Sequence, residues 1–334
     1  METLLPFEKI KQDILVRKEA TTNEEYGCRP ENRTEEELIQ NGIVNLNKPQ
    51  GPTSHQIADY AKNILQVPKV GHSGTLDPNV SGVLPMATGN ATKIVQVLLT
   101  AGKEYVVIIH IHDDVEESKI RTALDEFIGK ITQLPPIRSA VKRQLRERSV
   151  YYLEVLEIDG RDVLVKVGCQ AGTYIRRLAD DLGKKIGCGA HMAELVRTKA
   201  GPFSYKNWVT LQDLKDAYET WKEGKKGEIR KVMMHVEAGV EHLAKIWIID
   251  TAVDTLSHGA ALSVPGIAKM HGGINRDDTV AVMTLKDELV ALGTAQMNSQ
   301  NMLLQQKGVA VNNLRVFMQI GKYPKFTKRP EATK

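Results

Sequence analysis

At 334 residues the chain has room for two domains, and its 26% charged and 5% aromatic content is that of a globular protein poor in stacking side chains. Three cysteines, Cys28, Cys169 and Cys188, form no CxxC pair and argue against a disulfide scaffold, while no apolar run reaches the length of a membrane span. A net charge of +4 permits a polyanionic partner without demanding one.

Residues 1–40 are polar and mixed in charge, with at most a short helix at 35–39, and hold too little apolar surface to fold alone. A strand is expected over 43–46. Thr53 or Ser54 caps a helix through Gln66 that places Ile57, Tyr60, Ala61, Ile64 and Leu65 on one side. Next comes GHSGTLDPNVSGVL, residues 71–84, where Gly74, Gly82 and Pro78 build a bent, stiffened frame around one carboxylate, Asp77. A lone aspartate in a rigid turn can be a nucleophile or a base and fits poorly to paired-carboxylate hydrolysis. The same residues read equally as an Asx-type turn in which the carboxylate caps local amides.

A short helix over 92–100 is stopped by Gly102, residues 105–111 read as a strand, and an amphipathic helix over 116–128 ends at Gly129. Leu134, Pro135 and Pro136 stiffen the entry to a basic stretch, Arg138, Lys142, Arg143, Arg146 and Arg148 against Glu147 alone. A hairpin over 151–167 turns at Asp159-Gly160, followed by a helix over 172–186 and a strand over 194–198. The order predicts an α/β (α+β) domain on a mixed sheet. Beyond residue 245 come short strands at 246–249, 279–285, 289–295 and 311–320, with 259–267 as a short helix and glycine turn, the pattern of a small β-barrel-like module. His110 and His112 on one strand face lack further spaced ligands, and no metal is expected.

The 71–84 frame, with Asn45-Leu-Asn-Lys-Pro-Gln-Gly51 upstream, resembles the signature of the pseudouridine synthases related to the bacterial enzyme that modifies the tRNA T-loop. From about residue 42 to 326 the chain most resembles the dyskerin branch, the catalytic subunit of box H/ACA ribonucleoproteins, in its compact archaeal form. The GA-x-L-x-x-PGI arrangement of Gly259, Pro265 and Gly266 resembles the PUA domain, an RNA-binding module that holds the ACA end of a guide RNA. The resemblance implies an amino-terminal extension, 1–40, laid on the PUA domain, then a catalytic domain (41–244), the PUA domain (245–324) and a basic tail (325–334).

It also implies roles. Asp77 is the catalytic carboxylate, attacking sugar or base or abstracting a ribose proton, and Arg176, in Gly172-Thr-Tyr-Ile-Arg-Arg-Leu-Ala179, is its buried partner. Tyr105 stacks on an extruded uracil, its hydroxyl a second candidate for removing the C5 proton, and Leu195 packs beneath the base. Lys48 braces the catalytic loop, and His72 contacts RNA. The basic stretch with Arg138, Lys142, Arg143 and Arg146 matches a thumb loop that closes over substrate RNA. No cofactor is implied. Implied partners are a box H/ACA guide RNA, a substrate rRNA or tRNA, and three accessory proteins: a small zinc-ribbon nucleolar-type subunit, a glycine–arginine-type subunit and a kink-turn-binding ribosomal-type protein. Two further readings stay open, a guide-independent synthase acting on tRNA position 55 and an RNA-binding scaffold without catalysis. The resembling eukaryotic proteins carry long lysine-rich tails and this chain ends shortly after Lys328, so a cytoplasmic protein is expected.

Overall fold

Ile43, Val44 and Leu46 are fully buried on both faces of the strand Gly42–Lys48, so its sheet is covered on both sides here. The computed structural model that shows this describes residues 3–135 and 142–325. They form two units, 3–9 with 43–233, and 10–42 with 234–325.

In the larger unit the sheet runs, in spatial order, Gly42–Lys48, Ser81–Thr88, Ala190–Ala200, Lys103–Ile111, Asp162–Cys169, Arg146–Asp159 and Gly129–Gln133. Ser81–Thr88 and Ala190–Ala200 pair in parallel and the other pairs on this path are antiparallel, so the sheet is mixed. The helix Ser54–Leu65 begins in a capping box, with the Thr53 hydroxyl accepting from the Gln56 amide and the Gln56 side chain accepting from the Thr53 amide. It buries Ile57, Ala61 and Leu65 and stops where Gln66 turns left-handed at φ 52°. The helix Ile175–Ile186 buries Ile175, Leu178, Ala179, Leu182 and Ile186, an i, i+3, i+4 stripe that leaves Arg176 at the surface. Helices Leu211–Lys222 and Glu228–Val232 follow in a segment for which no element is expected from sequence. Among the described residues no helix is long and apolar enough to cross a membrane.

The smaller unit is a seven-stranded sheet ordered Ile14–Val16, Ile267–His271, Ala244–Ile248, Thr279–Thr284, Leu289–Ala295, Val309–Val316 and Leu262–Ser263. Ile246, Ile248, Val253, Val282 and Val290 are fully buried in its core. The segment 259–267 departs from expectation: the helix precedes it, at Asp250–Ser257, and the segment itself is a two-residue strand and a 3-10 turn, Val264–Gly266. Its Leu262 pairs with Val311, and that sheet pairing replaces the helix.

The amino-terminal segment is bound into this smaller unit by buried polar groups. Gly27 has φ 67°, and a Cβ there would lie 2.3 Å from a Glu288 carboxylate oxygen and 2.4 Å from the Tyr323 hydroxyl, so the chain passes where only glycine fits. Arg33 grips Glu237 through both guanidinium nitrogens at 2.8 and 2.6 Å, and the Leu289 amide donates to the same carboxylate at 2.8 Å. Residues 3–9 correct the expectation that all of 1–40 lies with the carboxy-terminal module. Leu5 is fully buried and Glu8 accepts from Lys199 at 3.0 Å, both within the larger unit.

Burial pushes the Glu237 carboxyl up, but the His235 ring, the Arg33 guanidinium and the Leu289 amide outweigh it and hold the group at about 2. A depressed carboxylate contributes stability above its unfolded pKa that is lost as pH falls through the folded one. Stability is therefore expected to decline as pH drops from 4.5 toward about 2. Melting curves collected between those values should show the decline, and Glu237→Gln should lower stability at neutral pH and flatten that acid dependence.

Candidate active site

The frame around Asp77 is fixed from beneath. Lys48 is fully buried, and its ammonium donates to three backbone carbonyls, Pro49 at 2.9 Å, Pro78 at 3.1 Å and Val80 at 2.8 Å. Burial, then the nearby Arg197, lowers its pKa. The Gly51 amide donates to Pro78, and the buried Ser54 hydroxyl both accepts from the Leu76 amide at 2.9 Å and donates to the Leu76 carbonyl at 3.2 Å. Leu76 and Val80 are buried on either side, while Asp77 between them faces solvent. Gly82 has φ 112°, and a Cβ there would lie 2.2 Å from the Arg197 carbonyl of the parallel neighbouring strand. This explains the glycine in sterics rather than flexibility.

Asp77 meets Arg176, whose guanidinium donates directly to the carboxylate. The sequence predicts a buried pair, and this is corrected: the side chains are 55% and 54% exposed. Arg176 leaves its helix off the buried stripe and reaches the loop across the surface. The pair is thus open to an incoming ligand, and it carries little of the fold.

The buried arginine of the site is instead Arg197, only 1% exposed. Its guanidinium donates to Val83 at 2.7 Å and to Gly74 at 3.2 Å, so it holds both ends of the Asp77 frame. Tyr105 and Arg197 are register partners on adjacent antiparallel strands. Burial raises the Tyr105 pKa, and Arg197 offsets this only in part. Leu195, two residues before Arg197, is buried on the same strand face. The same strand face also carries His191 and Lys199, so nothing local in the sequence singled out Arg197.

His72 ends the short strand Val70–His72 half-buried, edge-on to His55 with ring centroids 4.9 Å apart, and its Nδ1 accepts from the Gly74 amide at 3.4 Å. Burial, then His55 and Arg197, lowers its pKa. Asp77 with Arg176, Lys48, His72, Tyr105 and Leu195 are thus linked through one loop and the Arg197 strand. Of the basic stretch, Lys142 and Arg143 are exposed and Arg146 opens the strand Arg146–Asp159, whereas Arg138 lies outside the described residues. In the smaller unit Gly259, at φ 91°, and Pro265 are exposed. Gly266 is tighter, since a Cβ would sit 3.1 Å from Ala252 and from Leu262. His112 bonds His191 at 3.0 Å and His110 bonds Asp162 at 2.7 Å, and among the described residues no group of three or more His, Cys, Asp or Glu is arranged to hold a metal.

Comparison with known proteins identifies this arrangement. Residues 62–175 match the N-terminal domain of the TruB family pseudouridylate synthases and 176–241 the tRNA pseudouridylate synthase B C-terminal domain. Residues 244–317 match the PUA domain and 3–58 the DKCLD (NUC011) domain. The chain is 55% identical over 327 residues to a probable tRNA pseudouridine synthase B of Pyrococcus furiosus, covering 97% of this chain and 96% of that protein. It is 53% identical over 322 residues to its counterpart in Methanopyrus kandleri, covering 96% and 95%. Among solved structures it is similar to a chain of a Cbf5–Nop10–Gar1 complex, with TM-score 0.94, 55% identity and coverage of 97% of this chain and 99% of that one. It is also similar to a chain of an H/ACA RNP bound to a substrate RNA containing 2′-deoxyuridine, with TM-score 0.91, 53% identity and coverage of 97% and 99%. A mixed-sheet catalytic domain joined to a PUA module defines a pseudouridine synthase. The chain belongs to the TruB family, in its dyskerin-type branch.

The two arginines should separate cleanly on mutation. Arg176→Ala is expected to change stability by less than about 1 kcal/mol, as for an exposed pair, while removing turnover. Arg197→Met leaves buried carbonyls without a donor and should cost about 1–3 kcal/mol as well as activity. Urea titrations beside single-turnover assays on both variants test this.

Proposed function

We propose that the protein is an RNA pseudouridine synthase directed by a box H/ACA guide RNA, isomerising uridine within a ribonucleoprotein. The observation that carries the reading is the exposed Asp77–Arg176 pair on a rigid, cation-braced loop in a TruB-type domain. The reaction breaks the N-glycosidic bond, turns the uracil and rejoins it through C5. Product and substrate have the same atoms, so the stoichiometry asks for no cofactor.

An extruded nucleoside settling over Asp77 would strip water from the carboxylate, which is costly for a charged group. The Arg176 guanidinium offsets that cost by a charge-assisted hydrogen bond, leaving the carboxylate placed for attack or proton abstraction. Tyr105, the register partner of Arg197 and with its pKa raised by burial, is suited to offer a ring face rather than to act as a base. Leu195 supplies apolar packing and Lys48 and Arg197 hold the frame. His72, bonded to the Gly74 amide, braces the loop from the side and remains available to RNA.

Lys142 and Arg143, with Arg146 and Arg138, are assigned to phosphate contacts, and Gly259, Pro265 and Gly266 to RNA on the PUA module. Partners of the kinds named for the similar complexes, Nop10, Gar1 and H/ACA RNA, fit this reading, together with a kink-turn-binding protein. The protein is assigned to the cytoplasm. A second reading, direct action on tRNA without a guide, is favoured by the name of the curated relatives, probable tRNA pseudouridine synthase B.

One reconstitution distinguishes the two. Uridine-containing RNA is incubated with the protein, with and without guide RNA and accessory subunits, and mapped for pseudouridine. Product that needs the guide supports the first reading, product on bare tRNA the second, and a blank in every mixture with folded protein would leave only RNA binding. Asp77→Asn is expected to abolish turnover while RNA still binds in a filter assay. Replacing Lys142 and Arg143 by Gln should weaken RNA binding and reduce the slope of log affinity against log salt by roughly 1–2, at about one unit for each lost phosphate contact.

A further inference from the structure

Arg176 must place a flexible guanidinium against Asp77 at the surface, with half of each side chain in water. A long side chain in that setting gains little from the ion pair itself, so its accuracy depends on how firmly its backbone is held. The backbone two residues earlier is held by a side chain from another element. Gln133, the last residue of the strand Gly129–Gln133, is 3% exposed. Its Nε2 donates to the Tyr174 carbonyl at 3.1 Å and its Oε1 accepts from the Tyr174 amide at 2.9 Å. Tyr174 occupies the cap position of the helix Ile175–Ile186 and receives no side-chain cap of its own. The clamp therefore fixes the peptide from which the helix, and Arg176 at its second position, sets out.

The opposite strand grips the same segment. Ser149 accepts from the Gln170 amide at 2.8 Å through its carbonyl, and its own amide donates to the Gln170 side chain at 3.2 Å. Gln133 and Arg146 are the register pair at which these two strands part into the basic stretch. One root of the stretch, Gln133, and the strand that leaves the other, at Ser149 three residues beyond Arg146, are thus bonded to residues 170–174.

We infer that Gln133 is a positioning residue for Arg176, tying the root of the RNA-binding stretch to the helix start that aims the guanidinium at Asp77. The inference rests on the synthase reading above. It requires that loss of the clamp degrade the chemical step while substrate affinity stays intact, because Gln133 bonds the Tyr174 backbone and, among the described residues, Arg176 is the one that meets the carboxylate.

Gln133→Met keeps the volume and removes both hydrogen bonds. With saturating guide and substrate RNA, kcat is expected to fall by about tenfold or more with KM within about twofold, since small misplacements of a reacting group are costly. Combined with Arg176→Lys, which already misplaces the cation, Gln133→Met should add much less than its single effect. Gln133→Glu supplies a second readout. Its protonated form can both donate to the Tyr174 carbonyl and accept from the amide, as glutamine does, but its ionised form cannot donate. The ratio of its kcat to that of wild type should therefore rise as pH falls. Unchanged kcat in Gln133→Met, a loss confined to KM, or full multiplication with Arg176→Lys would overturn the inference. If the wild-type assembly itself makes no pseudouridine, the synthase reading falls instead, and the two failures are told apart.

Discussion

Everything at the site depends on buried cations that hold up a loop by its backbone. Lys48 takes three carbonyls and Arg197 two, and together these reach from Pro49 through Gly74, Pro78 and Val80 to Val83. Burying charge is costly unless every donor finds an acceptor, and backbone carbonyls supply acceptors without adding negative charge. The positive charge therefore stays beneath the Asp77 loop, bonded to its backbone. Lys103 shows the limit of this device. Two residues before Tyr105 and bonded to the Leu98 and Ala101 carbonyls, it is pulled by burial, then by Arg197, down to about 7. Adding cations to one buried neighbourhood thus erodes the charge of the weakest among them.

This division of labour also explains why two arginines of one catalytic domain behave so differently. Arg197 is geometrically captive, with neighbours on two strands and the Gly74 loop, and its chemistry is that of a structural donor. Arg176 is free to meet whatever lies over Asp77. Guanidinium suits both tasks because it stays charged when buried and presents its donors in a fixed fork. Lysine at the exposed position would keep the charge and lose the geometry.

The sequence made the helix Ser54–Leu65 and the Asp77 frame legible because capping and turn chemistry are local. The helix Leu211–Lys222 is written in the same terms, with Thr210 and Asp213 capping each other and Leu214, Ala217 and Tyr218 buried. The strand Ser81–Thr88 was not legible: it is buried on both faces, shows no alternation, and carries Gly82 and Pro85 where strand signals should be strongest. Only the passage of the Arg197 strand beside Gly82 gives that glycine its meaning. The resemblance supplied Arg176 as a partner but no information on its exposure, because whether a helical arginine is covered depends on what packs over that face. The amino terminus divided for a similar reason. Leu5 finds its burial in one unit and Gly27 its close contacts in the other, and neither choice is visible in a polar stretch of mixed charge.

A carboxylate that is to react with a nucleoside inside folded RNA faces two requirements that conflict in a rigid protein. It must be reachable before binding, and it must be shielded from water during reaction. An Asp77 sealed in the protein would meet the second and fail the first. The observed arrangement leaves the acid and its guanidinium half in solvent and puts all the rigidity underneath, in Lys48, Ser54 and Arg197. Shielding then has to come from the substrate itself, so the ion pair becomes strong only when RNA covers it and lowers the local dielectric. Under the synthase reading, a weak surface pair in the free protein is the form that the catalytic pair must take before its substrate arrives.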